Sequence, residues 1–388
     1  MATHEPKPLA LPQEICGIIC KEVGIEYVHN LCLLSHSFRH EAERLLYVDP
    51  WVVGMRAVKS WCFAVNRRPY LAHGIQWLTI FLPPQLDFEA DDLTHLYSAL
   101  HHCVNLTELY VHMHVPTLPG NALAKISNEV QAWILEDHPF KLKSFKNSYF
   151  RPNTLAKFLR SQPTIKTLML KNSGPAGIND VPMPNLRNLE CSSGTLQELS
   201  MPSWHPRRIT RLEYKLDCAS DVEELGTFVA VTQFAETLKS LSIYRHSTAN
   251  GRGLDVAVLA ACVAAQVPDI KFLQILDRTM RSETFHIPFL PFPIPLRRIE
   301  TLVFHPPVQR GANGEITDIS AYTELRTQEG RKRTAERIME SLPTLKKFVL
   351  VGGLKGKRAY EFYRNETPGE PIIEKERYFN HLSWLAVR

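Results

Sequence analysis

Two cysteines and two histidines near the start of the chain have the types and near-spacings of zinc ligands: Cys16-x3-Cys20, then His36-x3-His40. They would form a structural metal clip. The residues around them argue against it. The 15 residues between the pairs are rich in apolar side chains, and Ile15, Ile18 and Ile19 interleave with the cysteines at helical spacing. Zinc fingers take their cysteines from a turn, so packed cysteines and polar histidines are the simpler reading. "HMH" at 112–114 sets two histidines on one face of an extended segment, with His101 and His102 nearby but no carboxylate at a telling distance. "GGLKGKR" at 352–358 lacks the glycine spacing of a phosphate loop and the Ser or Thr that follows its lysine. "EGRKRTAER" at 329–337 suits a solvated basic helix face or a nuclear signal. No G-x-S-x-G and no recognisable Cys–His pair is present. The chain is therefore read as carrying no catalytic group, no metal site and no cofactor.

Composition bounds the class. The 388 residues are 44% hydrophobic and 22% charged, close to the average for globular proteins, so a sizeable core is expected. The 45 basic and 40 acidic residues give a net charge of +5. That is a mixed surface, and nucleic acid is disfavoured because it asks for a concentrated basic face. No run approaches the ~20 apolar residues that span a bilayer, and "MATHEPKPLALPQE" lacks the pattern of a signal peptide. The eight cysteines, at 16, 20, 32, 62, 103, 191, 218 and 262, are scattered through apolar runs, which suits reduced thiols in cytoplasm or nucleus.

Residues 1–10 read as a disordered start. Residues 11–48 read as three short helices. Pro12 suits a first turn and Glu14 a helix N-terminus; Ile15, Ile18, Ile19 and Val23 recur at helical spacing, and Gly24 can close the helix. "LCLLSHSF" at 31–38 is a second apolar cluster, and "FRHEAERLLY" an amphipathic helix ending near Tyr47. Residues 49–74 read as a connecting helical segment.

From residue 75 one pattern returns: apolar, two others, apolar, one other, apolar. It reads "IQWLTI" (75–80), "LTELYV" (106–111), "LKSFKN" (142–147), "IKTLML" (165–170), "LRNLEC" (186–191), "ITRLEY" (209–214), "LKSLSI" (238–243), "IKFLQI" (270–275), "IETLVF" (299–304), "LKKFVL" (345–350) and "LSWLAV" (382–387). "LQELSM" at 196–201 is a candidate twelfth copy, and Asn147 makes the third copy degenerate. The central residues, from Leu78 to Leu385, are spaced by 31, 36, 23, 21, 23, 29, 32, 29, 46 and 37 residues, with helix-like stretches between. Strand plus helix at roughly 20–30 residues is the leucine-rich-repeat period. The predicted fold is an α/β solenoid, an irregular leucine-rich-repeat arc with a parallel strand array on its concave face, without the regular Asn ladder. A doubly wound sheet is the alternative; its strands are more continuously apolar. Residues 305–328 and 351–378 read as surface insertions. "HIPFLPFPIPLRR" (286–298) is too Pro-dense for an element interior and reads as an extended loop or a polyproline ligand.

The ordered set Leu11, Pro12, Glu14, Ile15, Ile18, Leu31, Leu34, Ser35, Phe38, Arg39, Ala42, Leu45, Leu46 and Tyr47 resembles an F-box. With irregular repeats following, the chain resembles fungal F-box proteins with degenerate leucine-rich repeats. The middle, "GIEYVHN", departs from the family's acidic-Leu turn. The resemblance implies the substrate-recognition subunit of a Skp–cullin–F-box ubiquitin ligase. Leu11, Pro12, Ile15, Ile18, Leu31, Leu34, Ser35 and Phe38 would dock on a Skp-type adaptor, and through it on a cullin–RING ligase whose other subunits transfer ubiquitin.

The repeat arc would hold a target protein. Residues between the repeated apolar positions point to the opposite side of each strand, which nominates Trp77, Glu108, Tyr110, His112, Lys146, Lys171, Arg211, Glu213, Lys215, Tyr244 and His305. Lysines and arginines among them favour an acidic or phosphorylated segment. A repeat scaffold binding protein or RNA without a ligase, its F-box-like segment a structural cap, is the alternative.

Overall fold

The computed structural model describes residues 11–83, 89–113, 132–171, 177–199, 207–216, 220–246, 256–278, 280–281, 296–310, 316–320, 322–352, 358–365, 372–378 and 385. The chain divides into two compact units, Met1–Arg151 and Pro152–Arg388. Both are α/β, with mostly parallel strands. The stretch 1–10, expected to be disordered, and most of 286–298 lie outside the described residues.

The first unit opens with three helices: α1 (Gln13–Glu22), α2 (Ile25–Leu31) and α3 (His36–Leu46). Pro12 is the N-cap of α1, its carbonyl accepting from the amides of Ile15 and Cys16. Gly24 opens α2 rather than closing α1. Ser35 caps α3, its Oγ accepting from Phe38 N at 3.3 Å. The core of this module is small: Cys20, Val28 and Ala42 are buried, with Leu31, Cys32, Phe38, Leu45 and Leu46 packed on them. The buried stripe of α1 is Cys16 and Cys20, while Ile15 and Ile18 face outward. The apolar cluster at 31–38 is not a helix. It is the end of α2, a turn, and the start of α3.

The expected helical connection 49–74 starts as a strand, β1 (Trp51–Val53), before α4 (Met55–Arg67) and α5 (Tyr70–His73). Gly54 makes that turn at φ +79°, a region costly for residues with a Cβ. Then come β2 (Trp77–Leu82), α6 (Ala90–His101), β3 (Glu108–Met113) and β4 (Ser144–Asn147). The strands β1 to β4 pair in parallel in chain order, with Leu78, Leu109 and Phe145 in one lateral row. All three are buried, as are Val58, Trp61, Cys62 and Val65 of α4 and Leu96, Ala99 and Leu100 of α6.

In the degenerate third copy Asn147 is wholly buried. Its Oδ1 accepts from Tyr149 N (3.2 Å) and Phe150 N (2.9 Å), and its Nδ2 donates to Phe150 O (2.7 Å). It replaces apolar packing with a satisfied turn, which is how a buried amide is tolerated.

The second unit contains β5 (Thr167–Leu170), β6 (Asn188–Ser192), β7 (Arg211–Leu216), β8 (Ser240–His246), β9 (Phe272–Arg278), β10 (Met280–Arg281), β11 (Thr301–His305), β12 (Val308–Arg310), β13 (Ile316–Ser320) and β14 (Lys347–Gly352). Interleaved are the helices α7 (Ala156–Arg160), α8 (Ser193–Leu199), α9 (Asp221–Thr232), α10 (Val256–Gln266) and α11 (Gln328–Ser341). Strands β5, β6, β7, β8, β9, β11 and β14 are parallel neighbours in chain order. The repeated residues Leu168, Leu189, Leu212, Leu241, Leu273, Leu302 and Phe348 align across all seven. That row lies on the helix-backed face: Val256 and Ala260 of α10 and Ile338 of α11 line one cavity with Leu273, Leu302 and Phe348. Within each unit the strand order never reverses, so neither contains the switch point of a doubly wound sheet.

Three expectations are corrected. "LQELSM" overlaps helix α8 rather than forming a strand. The segment 351–378 adds two antiparallel strands, β15 (Arg358–Tyr363) and β16 (Ile373–Tyr378), beyond β14. Part of 305–328 pairs as β12 and β13 in a small sheet with β10. Of the last copy, Leu385 alone is described; it packs on Met169, Phe272, Val303, Val349, Val351 and Ala359.

Candidate interaction surfaces

On the three-helix module, Leu11 is 47% exposed, Ile18 56% and Leu34 65%; Pro12 and Ile15 are exposed as well. Leu33, Ile25 and Tyr27 of the same module are exposed too. Apolar residues in a turn have no neighbouring strand or helix to cover them, and a helix can bury only one stripe in so small a core. Leu31 and Phe38 are half-buried against the module's own core, and Ser35 is committed to its cap. Leu31 and Phe38 therefore support the surface from beneath, while Ser35 stays exposed at the start of α3.

In the first unit, the strand face opposite the helices carries a grid of aromatic and polar groups. One lateral row runs Trp51, Thr79, Tyr110, Lys146, and the next Val53, Phe81, His112. Trp77 stands beside Glu108 in a third row. Trp51 meets the Phe81 ring edge-on at 5.7 Å; Phe81 and His112 are 5.2 Å apart. Lys146 Nζ lies 4.0 Å from the Tyr110 ring centre, a cation–π contact. The Tyr110 hydroxyl donates to Glu108, and burial together with that bond raises its pKa. His112 Nδ1 is 3.3 Å from Ser148 Oγ. Trp51 is 70% and Trp77 50% exposed. The nominated Trp77, Tyr110, His112 and Lys146 thus come together. Trp51, Val53 and Phe81 join them unforeseen, because a three-residue strand is too short to show alternation; Pro50 followed by "WVV" is the one signal present.

In the second unit the same alternation places Lys171, Glu190, Arg211, Glu213, Lys215 and Tyr244 on the face opposite the helices. Lys171 is exposed; Arg211, Glu213, Lys215 and Tyr244 are half-buried. Lys171 Nζ lies 3.3 Å from Glu190 Oε1, and Arg211 Nη1 donates to Asn188 Oδ1 at 3.1 Å. His305 does not belong to this surface. It is buried, its Nδ1 donating to the carbonyls of Asp277 (3.2 Å) and Pro306 (2.9 Å). From β8 onward the expectation of a solvated face fails: Ser240, Ser242, Phe272, Gln274, Leu276, Val303 and Val349 are all buried there.

The described cysteines are free thiols, and burial pushes Cys62 and Cys103 up to about 12, far from nucleophilic range. Among the described residues no group of three or more His, Cys, Asp or Glu could hold a metal ion, and no helix is long and apolar enough to cross a membrane. No protein-family model matches the chain, and no curated protein is significantly similar to it.

Proposed function

We propose that this chain is the substrate-recognition subunit of a Skp–cullin–F-box ubiquitin ligase, acting in cytoplasm or nucleus. In this reading α1–α3 form an F-box, and the strand–helix units that follow are irregular leucine-rich repeats. The chain itself performs no chemistry; it brings a target protein to subunits that transfer ubiquitin.

The observation that carries the reading is the uncovered apolar surface of Leu11, Pro12, Ile15, Ile18 and Leu34 on a module whose own core is only a few residues deep. A structural cap would turn those residues inward. Each such side chain, fully buried by a partner, contributes ~1.5–3 kcal/mol. In-register apolar rows support the repeat reading, because one strand–helix unit cannot bury its apolar face alone and neighbours must stack. The exposed tryptophans beside Tyr110, His112 and Lys146 support target capture, since aromatic and cationic residues dominate binding hot spots.

The test is binding of the purified chain to a Skp-type adaptor, by calorimetry, beside a Leu11→Ala/Pro12→Ala/Ile15→Ala variant. Wild type should bind, and the variant should lose about 100-fold or more while keeping its circular dichroism. A folded wild type that does not bind the adaptor refutes the proposal.

A further inference from the structure

Val58, Lys59, Cys62, Phe63, Asn66 and Arg67 recur at spacings of three and four, so they share one side of helix α4. Val58 and Cys62 are buried there, but the Phe63 ring is 66% exposed. It has no core to enter, because Val58, Trp61, Cys62 and Val65 already make up the buried stripe of the helix. Between α4 and α6 this side lines a cavity of about 440 Å³, with Asp92 and His95 of α6 opposite. A cavity of that volume is the size of a small-ligand site.

Two ties cross from helix to helix and fix its width. Lys59 Nζ meets Asp92 Oδ2 at 2.8 Å, and Asn66 Nδ2 donates to the His95 carbonyl at 2.9 Å. The carboxylate in the lining is thereby neutralised. Arg67, two turns on from Lys59 and ~12 Å along the axis, has no carboxylate partner among the described residues; its guanidinium carbon lies 5.9 Å from the centre of the Phe63 ring. The cavity therefore holds a neutralised pair at one end, an uncovered ring in the middle and a spare positive charge at the other end. Its complement is an apolar body of about one ring carrying a single negative charge. A carboxylate matches the guanidinium fork in both geometry and charge. A phosphate monoester brings nearly two charges against one free cation, and a cationic ligand would meet Arg67 head-on.

We propose that the α4–α6 cavity binds a small apolar monocarboxylate, its body against Phe63 and its carboxylate on Arg67. The site lies on the helix side of the first unit, away from the strand face read as target-binding, and does not depend on that reading. A free small molecule and the C-terminal aromatic residue of a peptide offer this same chemistry.

The experiment follows the backbone amides of the 15N-labelled full chain by NMR. The probes are 3-phenylpropionate, its uncharged counterpart 3-phenylpropanamide, and the tripeptide Gly-Gly-Phe with a free C-terminus. 3-Phenylpropionate should bind with about millimolar affinity and shift the signals of Phe63, Arg67 and His95. 3-Phenylpropanamide should bind about tenfold more weakly. Arg67→Gln should reduce the acid to the level of 3-phenylpropanamide, and Phe63→Ala should weaken both about tenfold. Arg56→Gln, on the same helix but outside the cavity lining, should change neither. Positions 63 and 67 are exposed, so melting temperatures should stay within a few degrees of wild type; if a variant does not fold, the wild-type comparison of acid and 3-phenylpropanamide decides alone. A tripeptide that binds more tightly than the acid supports a protein C-terminus as the ligand, and one that binds less tightly supports a free small molecule. No saturable shift at these residues, equal binding of acid and 3-phenylpropanamide, or acid binding that Arg67→Gln leaves unchanged overturns the proposal, whatever the result with the adaptor.

Discussion

Arg245 is wholly buried, at the third core-facing position of β8 after Leu241 and Ile243. Its Nε donates to Glu224 Oε1 at 2.8 Å and its Nη1 to Asp277 Oδ2 at 2.7 Å; both carboxylates are also inaccessible to solvent. Asp277 is the in-register neighbour on β9, and Glu224 comes from α9. Three charges thus fill a place where the repeat pattern would put apolar residues. Burial works against the guanidinium charge, but the two carboxylates outweigh it and raise its pKa. Arg245→Met would take the guanidinium away from two buried carboxylates. Breaking a buried pair this way costs about 3–5 kcal/mol. That is a large share of the ~5–15 kcal/mol that stabilises a typical domain. For a unit of this size it corresponds to a melting temperature lower by about 6–20 °C. Replacing all three, as Arg245→Met/Glu224→Leu/Asp277→Leu, removes the two buried carboxylates as well and should recover most of the loss. The assay is urea unfolding at pH 7 followed by circular dichroism, with thermal melts alongside. An Arg245→Met protein within about 1 kcal/mol of wild type would refute the reasoning, as would a triple variant less stable than the single one.

Asn147→Leu should lower stability by about 2 kcal/mol, despite restoring the apolar repeat pattern, because it removes three buried hydrogen bonds to the Tyr149 and Phe150 backbone; urea unfolding reads it. Glu213 has a folded pKa of about 8, raised from 4.5, so it binds its proton more tightly folded than unfolded. Its contribution is fully present below pH 4.5 and is lost as pH rises through about 8, with a limiting slope of ~1.4 kcal/mol per pH unit; Glu213→Gln should remove that slope in unfolding series across the range. Cys62, Cys103 and Cys191, buried and with raised pKa values, should react with a chromogenic disulfide reagent only on unfolding, whereas the half-buried Cys32 and Cys262 should react in the native protein. Trp51→Ala should leave the melting temperature within a few degrees, given the exposure of that ring, while weakening target capture in a pull-down.

What the sequence by itself determined is the strand ladder. Its period-2 apolar pattern predicted the central residues that the structure aligns from Leu168 to Phe348, because a strand with one buried face cannot slip register without exposing its core side chains. Helices α6, α9, α10 and α11 fall in the helix-like stretches between the copies, and the start of α1 after Pro12 and the end of α3 near Tyr47 were legible from helical spacing and capping chemistry. Local pattern could not say which of two apolar stripes would find cover. On α1 the cysteines went inside and the isoleucines outside. On the second unit's strands the face expected to meet water is closed from β8 onward, and His305 closes with it. Nor could it pair Arg245 with Glu224 and Asp277, 21 and 32 residues away, or set Glu190 and Glu213 side by side. Burial and charge pairing are properties of neighbours brought together by folding, and only the tertiary structure decided who those neighbours are.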